Sequence, residues 1–311
     1  MKNTILTAAI AGLDAKLVEV EADVSHGLRS FSIVGLPDKA VEESKERVEA
    51  AIKSTKLLSP HHRTFRILIN LAPADLKKEG SLYDLPIALA FLLGSKQTAF
   101  DTKGKIFLGE LSLDGSLRKI KGALSFAMLA KEIGLTEIIL PKQNAREASL
   151  VKDLKVIGAE SLSDVLAYVE KRKPLEEFLQ PEAVQEKPPD DEYAVSIDWI
   201  KGQEYAKRAL EISAAGGHNL FFFGPPGGGK SLLAKSLPSI LPPLTFEESL
   251  EVTKIYSIAG LLTENKNLIL HRPFRSPHHT SSEVALIGGG NPLRPGEMTL
   301  AHRGILFLDE F

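Results

Sequence analysis

"FFFGPPGGGKSLLAKSL", Phe221 to Leu237, decides how the second half of this chain is read. Three phenylalanines run into a turn of two prolines and four glycines. Lys230 and Ser231 then open a segment with apolar residues at helical spacing. Gly224, Pro225, Pro226, Gly227, Gly228, Gly229, Lys230 and Ser231 fit the pattern G-x-x-x-x-G-K-[ST]. Each residue type has a physical task. The glycines let backbone N–H groups turn inward and approach phosphate oxygens closely. The helix beginning near Lys230 points the positive end of its dipole at the anion. Lys230 reaches the β- and γ-phosphates, a role in binding and in catalysis alike, and Ser231 offers a hydroxyl ligand to Mg²⁺. The pattern predicts a strand over "HNLFFFG" (218–224), a phosphate-binding loop and a helix, with ATP as ligand.

A second motif answers the first. In "GILFLDE" (304–310) four apolar residues feed two carboxylates, and Asp309 lies 79 residues after Lys230. By itself this reads more readily as a core strand ending in two solvated acids. Beside a phosphate loop, Asp309 becomes a ligand of Mg²⁺, directly or through water. Glu310 becomes the general base that polarises water toward the γ-phosphate.

Composition bounds the alternatives. The 311 residues are enough for two domains, and a formal net charge of −2 gives no global basic field for nucleic acid. There is no cysteine, which excludes disulfides, Cys-based zinc sites and a Cys nucleophile and fits a cytoplasmic protein. The opening "MKNTILTAAIAGLDA" has the outline of a signal peptide, but a strand-like alternation follows at once and its apolar run is weak. No stretch approaches the ~20 apolar residues of a membrane span.

The first 170 residues alternate strand and helix signals. "KLVEVEADV" (16–24) and "SFSIVGL" (30–36) read as strands, 37–54 as one helix, and "FRILINLAP" (65–73) as a strand. "YDLPIALAFLLGS" (83–95) reads as a buried helix, and 105–120 as strands around an Asp114–Gly115 turn. Residues 172–192 hold four prolines and seven acids, the composition of a linker. The expected organisation is therefore an α/β domain over 1–171, a linker over 172–192, and a nucleotide-binding domain over 193–311. In the last, "DWIKGQEYAKRALEISAAG" predicts a helix from beyond Gly202 to near Gly216. "ALIGGGNPLRPGEMTLAHRG" (285–304) is too rich in Gly and Pro to continue a helix, and Arg294 at its tip is a candidate substrate contact. His278 and His279, near His271 and Arg275, read as structural or interface residues rather than metal ligands. Nothing in the sequence assigns Arg272 or Arg275.

"IKGQEYAKRALEISAAGGHNLFFFGPPGGGKSLLAKSLPSILPPL" (200–244) resembles the start of an AAA+ ATPase module. "RPFRSPHHTSSEVALIGGGNPLRPGEMTLAHRGILFLDE" (272–310) resembles its continuation in the magnesium-chelatase-like group. Over its whole length the chain resembles the YifB/ComM family of bacterial AAA+ proteins. That resemblance implies ATP and Mg²⁺ as cofactors, a hexameric ring of identical chains, and DNA as partner, with translocation or branch migration as the work done. A magnesium-chelatase motor subunit is the alternative, and a non-hydrolysing nucleotide-binding fragment a third reading. Modules of this group continue past their second motif with a sensor strand, an arginine finger and a helical lid. Their absence here leads us to expect the leading part of a longer protein, a poor ATPase by itself.

"KKEGSLYDLPIALA" (77–90) and "GELSLDGSLRKIKGALSFAMLA" (109–130) resemble the proteolytic domain of the Lon family, a ribosomal-S5-like α/β fold. Such peptidases use a Ser nucleophile and a Lys base. Matching the motifs places Leu82 and Ser125 at those positions, with Ser81 and Lys121 nearby but displaced. The resemblance implies the fold without the dyad, and hence a binding or assembly domain. The fold class expected is α/β throughout: a Lon-like domain followed by a partial P-loop AAA+ domain.

Overall fold

The computed structural model describes residues 4–60, 64–180, 195–263, 267–290 and 293–309. By its internal contacts the chain divides into two compact units, Met1–Pro181 and Glu182–Phe311.

The first unit is built on one eight-stranded sheet. Its elements are β1 (Ile5–Ala11), β2 (Asp14–His26), β3 (Ser30–Val34), α1 (Lys39–Glu42), α2 (Ser44–Ser54), β4 (Phe65–Ala72), α3 (Asp84–Gly94) and β5 (Lys105–Phe107). The short β6 (Glu110–Leu111) and β7 (Leu117–Arg118) follow, then α4 (Ala123–Glu132), β8 (Glu137–Pro141), α5 (Lys142–Ala148), β9 (Lys155–Ala159), α6 (Leu162–Val169) and β10 (Glu177–Phe178). The order across the sheet is β10-β9-β8-β5-β1-β2-β4-β3. Strands β1, β5, β8 and β9 run parallel, as do β3 and β4, while β2 is antiparallel to both of its neighbours.

The sheet separates two apolar layers. Ile5, Val18, Ile67, Ile69 and Phe107 face α2, α3 and α6. Ala8, Ile106, Ile138, Leu140 and Val156 face α4 and α5. Period-2 alternation sends neighbouring residues of each strand to opposite layers. Helix α3 is apolar all round and buried from Asp84 through Leu93, as expected of a helix enclosed on every side.

Two boundaries depart from the sequence reading. The single helix expected over 37–54 is two helices that part at Glu43, with the Asp38 carboxylate capping the first through the Val41 N–H at 2.8 Å. The segment read as a linker from residue 172 carries β10, an edge strand that pairs with β9 and seats Phe178 on the second apolar layer. The remainder of that segment, 181–192, lies outside the described residues.

The second unit contains α7 (Glu204–Gly216), α8 (Lys230–Ser236), α9 (Phe246–Ala259), β11 (Phe274–Arg275), α10 (Glu283–Ile287), β12 (Gly288–Gly289), β13 (Arg294–Pro295), α11 (Glu297–Leu300) and β14 (Ile305–Leu306). Strands β11 and β14 run parallel, and β12 and β13 form an antiparallel hairpin. The Gly- and Pro-rich stretch leaves the helical path as expected, because Gly288 to Gly290 hold positive φ that side chains other than glycine rarely adopt.

The strand predicted over "HNLFFFG" is not formed. No described strand hydrogen-bonds to it, and a strand exists only through lateral pairing. Its alternation survives: Phe222 packs inward against Ile200, Leu210 and Leu233, while Phe221 and Phe223 are 87% and 94% exposed. No helix among the described residues is long and apolar enough to cross a membrane.

Candidate nucleotide site

The loop Gly224–Gly229 is exposed and leads directly into α8. Gly227 and Gly229 sit at φ of 77° and 83°, a conformation that strains any residue with a Cβ, and both have open space where that Cβ would be. The loop backbone is thus turned and uncovered, as close approach of an anion requires. The Gly228 N–H donates to the Pro225 carbonyl at 3.3 Å and shapes the turn. Lys230 folds back over the loop, donating from Nζ to the carbonyls of Gly224 and Pro225 at 2.9 and 3.0 Å. Its ammonium is thereby held against the loop.

Ser231 is exposed on the first turn of α8, and its Oγ donates to Asp309 Oδ2 at 3.2 Å. A hydroxyl and a carboxylate so placed offer oxygen ligands of the kind a hard divalent cation takes. Asp309 arrives on the extension of β14, which pairs with β11 in the register Phe274↔Ile305 and Arg275↔Leu306. The Phe307 N–H continues that ladder to the Arg275 carbonyl at 2.8 Å, and the rings of Phe274 and Phe307 stack at 6.0 Å. Glu310 lies outside the described residues. The structure therefore brings Ser231 to Asp309, while Lys230, the residue before Ser231 on α8, turns to the loop carbonyls.

Arg275 makes a two-point ion pair with Glu297, its Nη2 2.7 Å from Oε1, which raises the guanidinium pKa and ties β11 to α11. His278 and His279 are exposed with their rings 4.2 Å apart, and His278 Nδ1 lies 2.8 Å from Thr280 Oγ1. Arg294 is exposed on the hairpin strand β13. No pattern in the sequence pairs Arg275 with Glu297, 22 residues on, because the contact is made by folding alone.

In the first unit, Leu82 is partly buried and packs on both apolar layers. Ser125 is 2% exposed on α4, and its hydroxyl has no hydrogen-bond partner among the described residues. The Ser81 hydroxyl donates to the Glu110 carboxylate, and Lys121 is exposed.

Two family models match the chain. One, described as magnesium chelatase, subunit ChlI, covers residues 196–311; the other, described as subunit ChlI of Mg-chelatase, covers 20–144. The competence protein ComM of Haemophilus influenzae is 43% identical over 313 residues, which takes in 98% of this chain and 59% of that protein. YifB of Salmonella typhimurium, an uncharacterized protein, is 44% identical over 305 residues, 98% of this chain and 58% of its own length. The chain belongs to the YifB/ComM family. It spans about three-fifths of the length of these family members. A Lon protease of Solibacter usitatus is 25% identical over 161 residues, 49% of this chain and 20% of that enzyme.

Proposed function

We propose that this chain carries the ATP site of an AAA+ motor that works on DNA as a hexameric ring, by translocation or branch migration. The observation that supports the reading best is the meeting of two motifs 79 residues apart in sequence, Ser231 Oγ lying 3.2 Å from Asp309 Oδ2 beside an uncovered glycine loop. Bound Mg-ATP would supply an electrophilic γ-phosphorus whose charge the metal spreads. The chain's own part is to cradle phosphates with the loop amides, to face them with Lys230, and to hold the metal with Ser231 and Asp309. Glu310 accepts the proton of the attacking water. The name of the Haemophilus relative, a competence protein, is in keeping with work on DNA.

In a protein of the relatives' full length that carries this site, Glu310→Gln is expected to leave ATP affinity within about twofold of the parent and to stop phosphate release, since the amide keeps the shape and loses the base. Turnover that persists in this variant would show the base to be misassigned. Branched DNA should stimulate turnover in the parent. Stimulation by a porphyrin in place of DNA would favour the second reading, a magnesium-chelatase-type motor, which the descriptions of the matching family models support.

For the first unit we propose a binding or assembly role without peptidase activity. Leu82 offers no nucleophile, Ser125 no base, and the Ser81 hydroxyl is engaged by a carboxylate. Incubation with an unfolded protein should yield no fragments. Cleavage that disappears in Ser81→Ala would overturn this assignment.

A further inference from the structure

The strand that delivers Asp309 is anchored by an ionic network remote from the phosphate loop. Arg303 stands two residues before β14 in a left-handed conformation, φ 60°, which side chains other than glycine and asparagine rarely take. Gly304 follows because a Cβ there would fall 2.0 Å from the Pro273 carbonyl, the acceptor at 2.8 Å of the Ile305 N–H that begins the ladder.

The Arg303 guanidinium reaches back to α9. Its Nε donates to Glu251 Oε2 at 2.8 Å, and its Nη1 lies 3.3 Å from Glu248 Oε1. His302 adds a contact from Nε2 to Glu251 Oε2 at 3.1 Å. These bonds hold the Glu251 carboxylate below its usual pKa and the Arg303 guanidinium above its own.

Arg272, two residues before β11, closes the other side. It donates from Nε to the Pro242 carbonyl at 2.6 Å and from Nη1 to the Arg303 carbonyl at 2.7 Å, and its Nη2 is 3.5 Å from Glu248 Oε2. Glu248 is itself fixed by the capping box with Thr245 at the start of α9. One carboxylate thus secures a helix start and meets the arginines that precede both parallel strands.

We propose that Arg272 and Arg303 are positioning residues that set the register of β14 on β11 and thereby hold Asp309 at Ser231. This rests on the nucleotide-site reading and extends it to residues that touch neither nucleotide nor metal. Register is where such a clamp has effect, because a one-residue slip along a strand turns every side chain to the other face. Arg303 spans the two ends of the problem: its side chain holds α9, and its carbonyl is the acceptor for Arg272.

The test separates metal from nucleotide. ATP affinity of the full chain is measured by calorimetry with Mg²⁺ and again with EDTA, for the parent, Arg303→Met, Arg272→Met and the control Glu211→Gln, which removes an exposed ion pair of α7. The parent should bind tighter with Mg²⁺. Arg303→Met should keep the metal-free affinity and lose about fivefold of the Mg²⁺ gain, the scale expected of a partly exposed ionic network. Arg272→Met should do the same, and Glu211→Gln should match the parent. Arg303 is 41% exposed, so its replacement leaves a folded chain to measure even where the more buried Arg272 variant does not. A lower melting temperature in Arg303→Met with the Mg²⁺ gain intact would reduce the network to a structural role and overturn the inference. Equal loss of affinity with and without Mg²⁺ would also overturn it. No ATP binding by the parent would instead remove the nucleotide-site reading and this inference with it.

Discussion

Lys230→Ala should weaken ATP binding on the order of 100-fold, to the point that calorimetry at ordinary concentrations records no heat. The size follows from what is removed. A charge-assisted bond to phosphate contributes about 1.5–3 kcal/mol, and each 1.4 kcal/mol is tenfold in affinity. In the proposed site the lysine would face two phosphates, so the upper part of that range applies. The variant should fold normally, because the bonds lost in the free protein are those from Nζ to the carbonyls of Gly224 and Pro225 in an exposed loop, where water replaces the donor. An unchanged melting curve with binding abolished is the expected pair of results. ATP affinity within threefold of the parent, about 0.65 kcal/mol, would show that this loop does not hold the β- and γ-phosphates.

What the sequence made legible follows from where each signal resides. The glycine loop and the helix after it were readable because their signal is local: eight consecutive residues carry the glycines, the cation and the hydroxyl. Helix α3 was readable because its burial is written as an unbroken apolar run, and Asp84 to Gly94 matches the reading almost to the residue. The strand over 218–224 was misread for the opposite reason. Its phenylalanines have β-propensity and alternate correctly, but pairing is supplied from outside the segment and no described strand provides it. β10 was hidden inside a linker composition, since two residues held by one neighbouring strand leave no periodicity to detect. The arginines at 272, 275 and 303 were visible as charges and not as partners. Their carboxylates lie 22 to 55 residues away, and only the packing of α9 and α11 brings them near.

Arg47→Met should destabilise the first unit by about 3–5 kcal/mol, more than removal of any exposed ion pair, because it strands a charge in the core. Asp84 is fully buried at the start of α3. Arg47 donates to it from Nε at 2.7 Å and from Nη2 at 3.0 Å, and the same Nη2 reaches the Ala40 carbonyl at 2.9 Å. The Ser44 hydroxyl and the Leu111 N–H, the latter at 3.1 Å, complete the shell. The carboxylate therefore joins α2, α3 and β6, and Arg47 extends the join to α1 through the Ala40 carbonyl. Burial pushes the Asp84 carboxyl above its usual pKa, and the hydrogen bond from Arg47 is the first of the groups that oppose this. Without Arg47 the shift grows. A carboxyl raised in the folded state stabilises below its unfolded pKa and loses that contribution as pH rises through the folded value. The gap between parent and variant should therefore be widest at neutral pH and narrow in mild acid. Replacing both partners, Arg47→Met with Asp84→Leu, should recover much of the loss, since an apolar pair leaves nothing unpaired. Denaturant titrations of the parent and the two variants at two pH values decide the matter. A single variant no less stable than the double, or a gap that widens on acidification, would show that the ion pair is not what holds these four elements together.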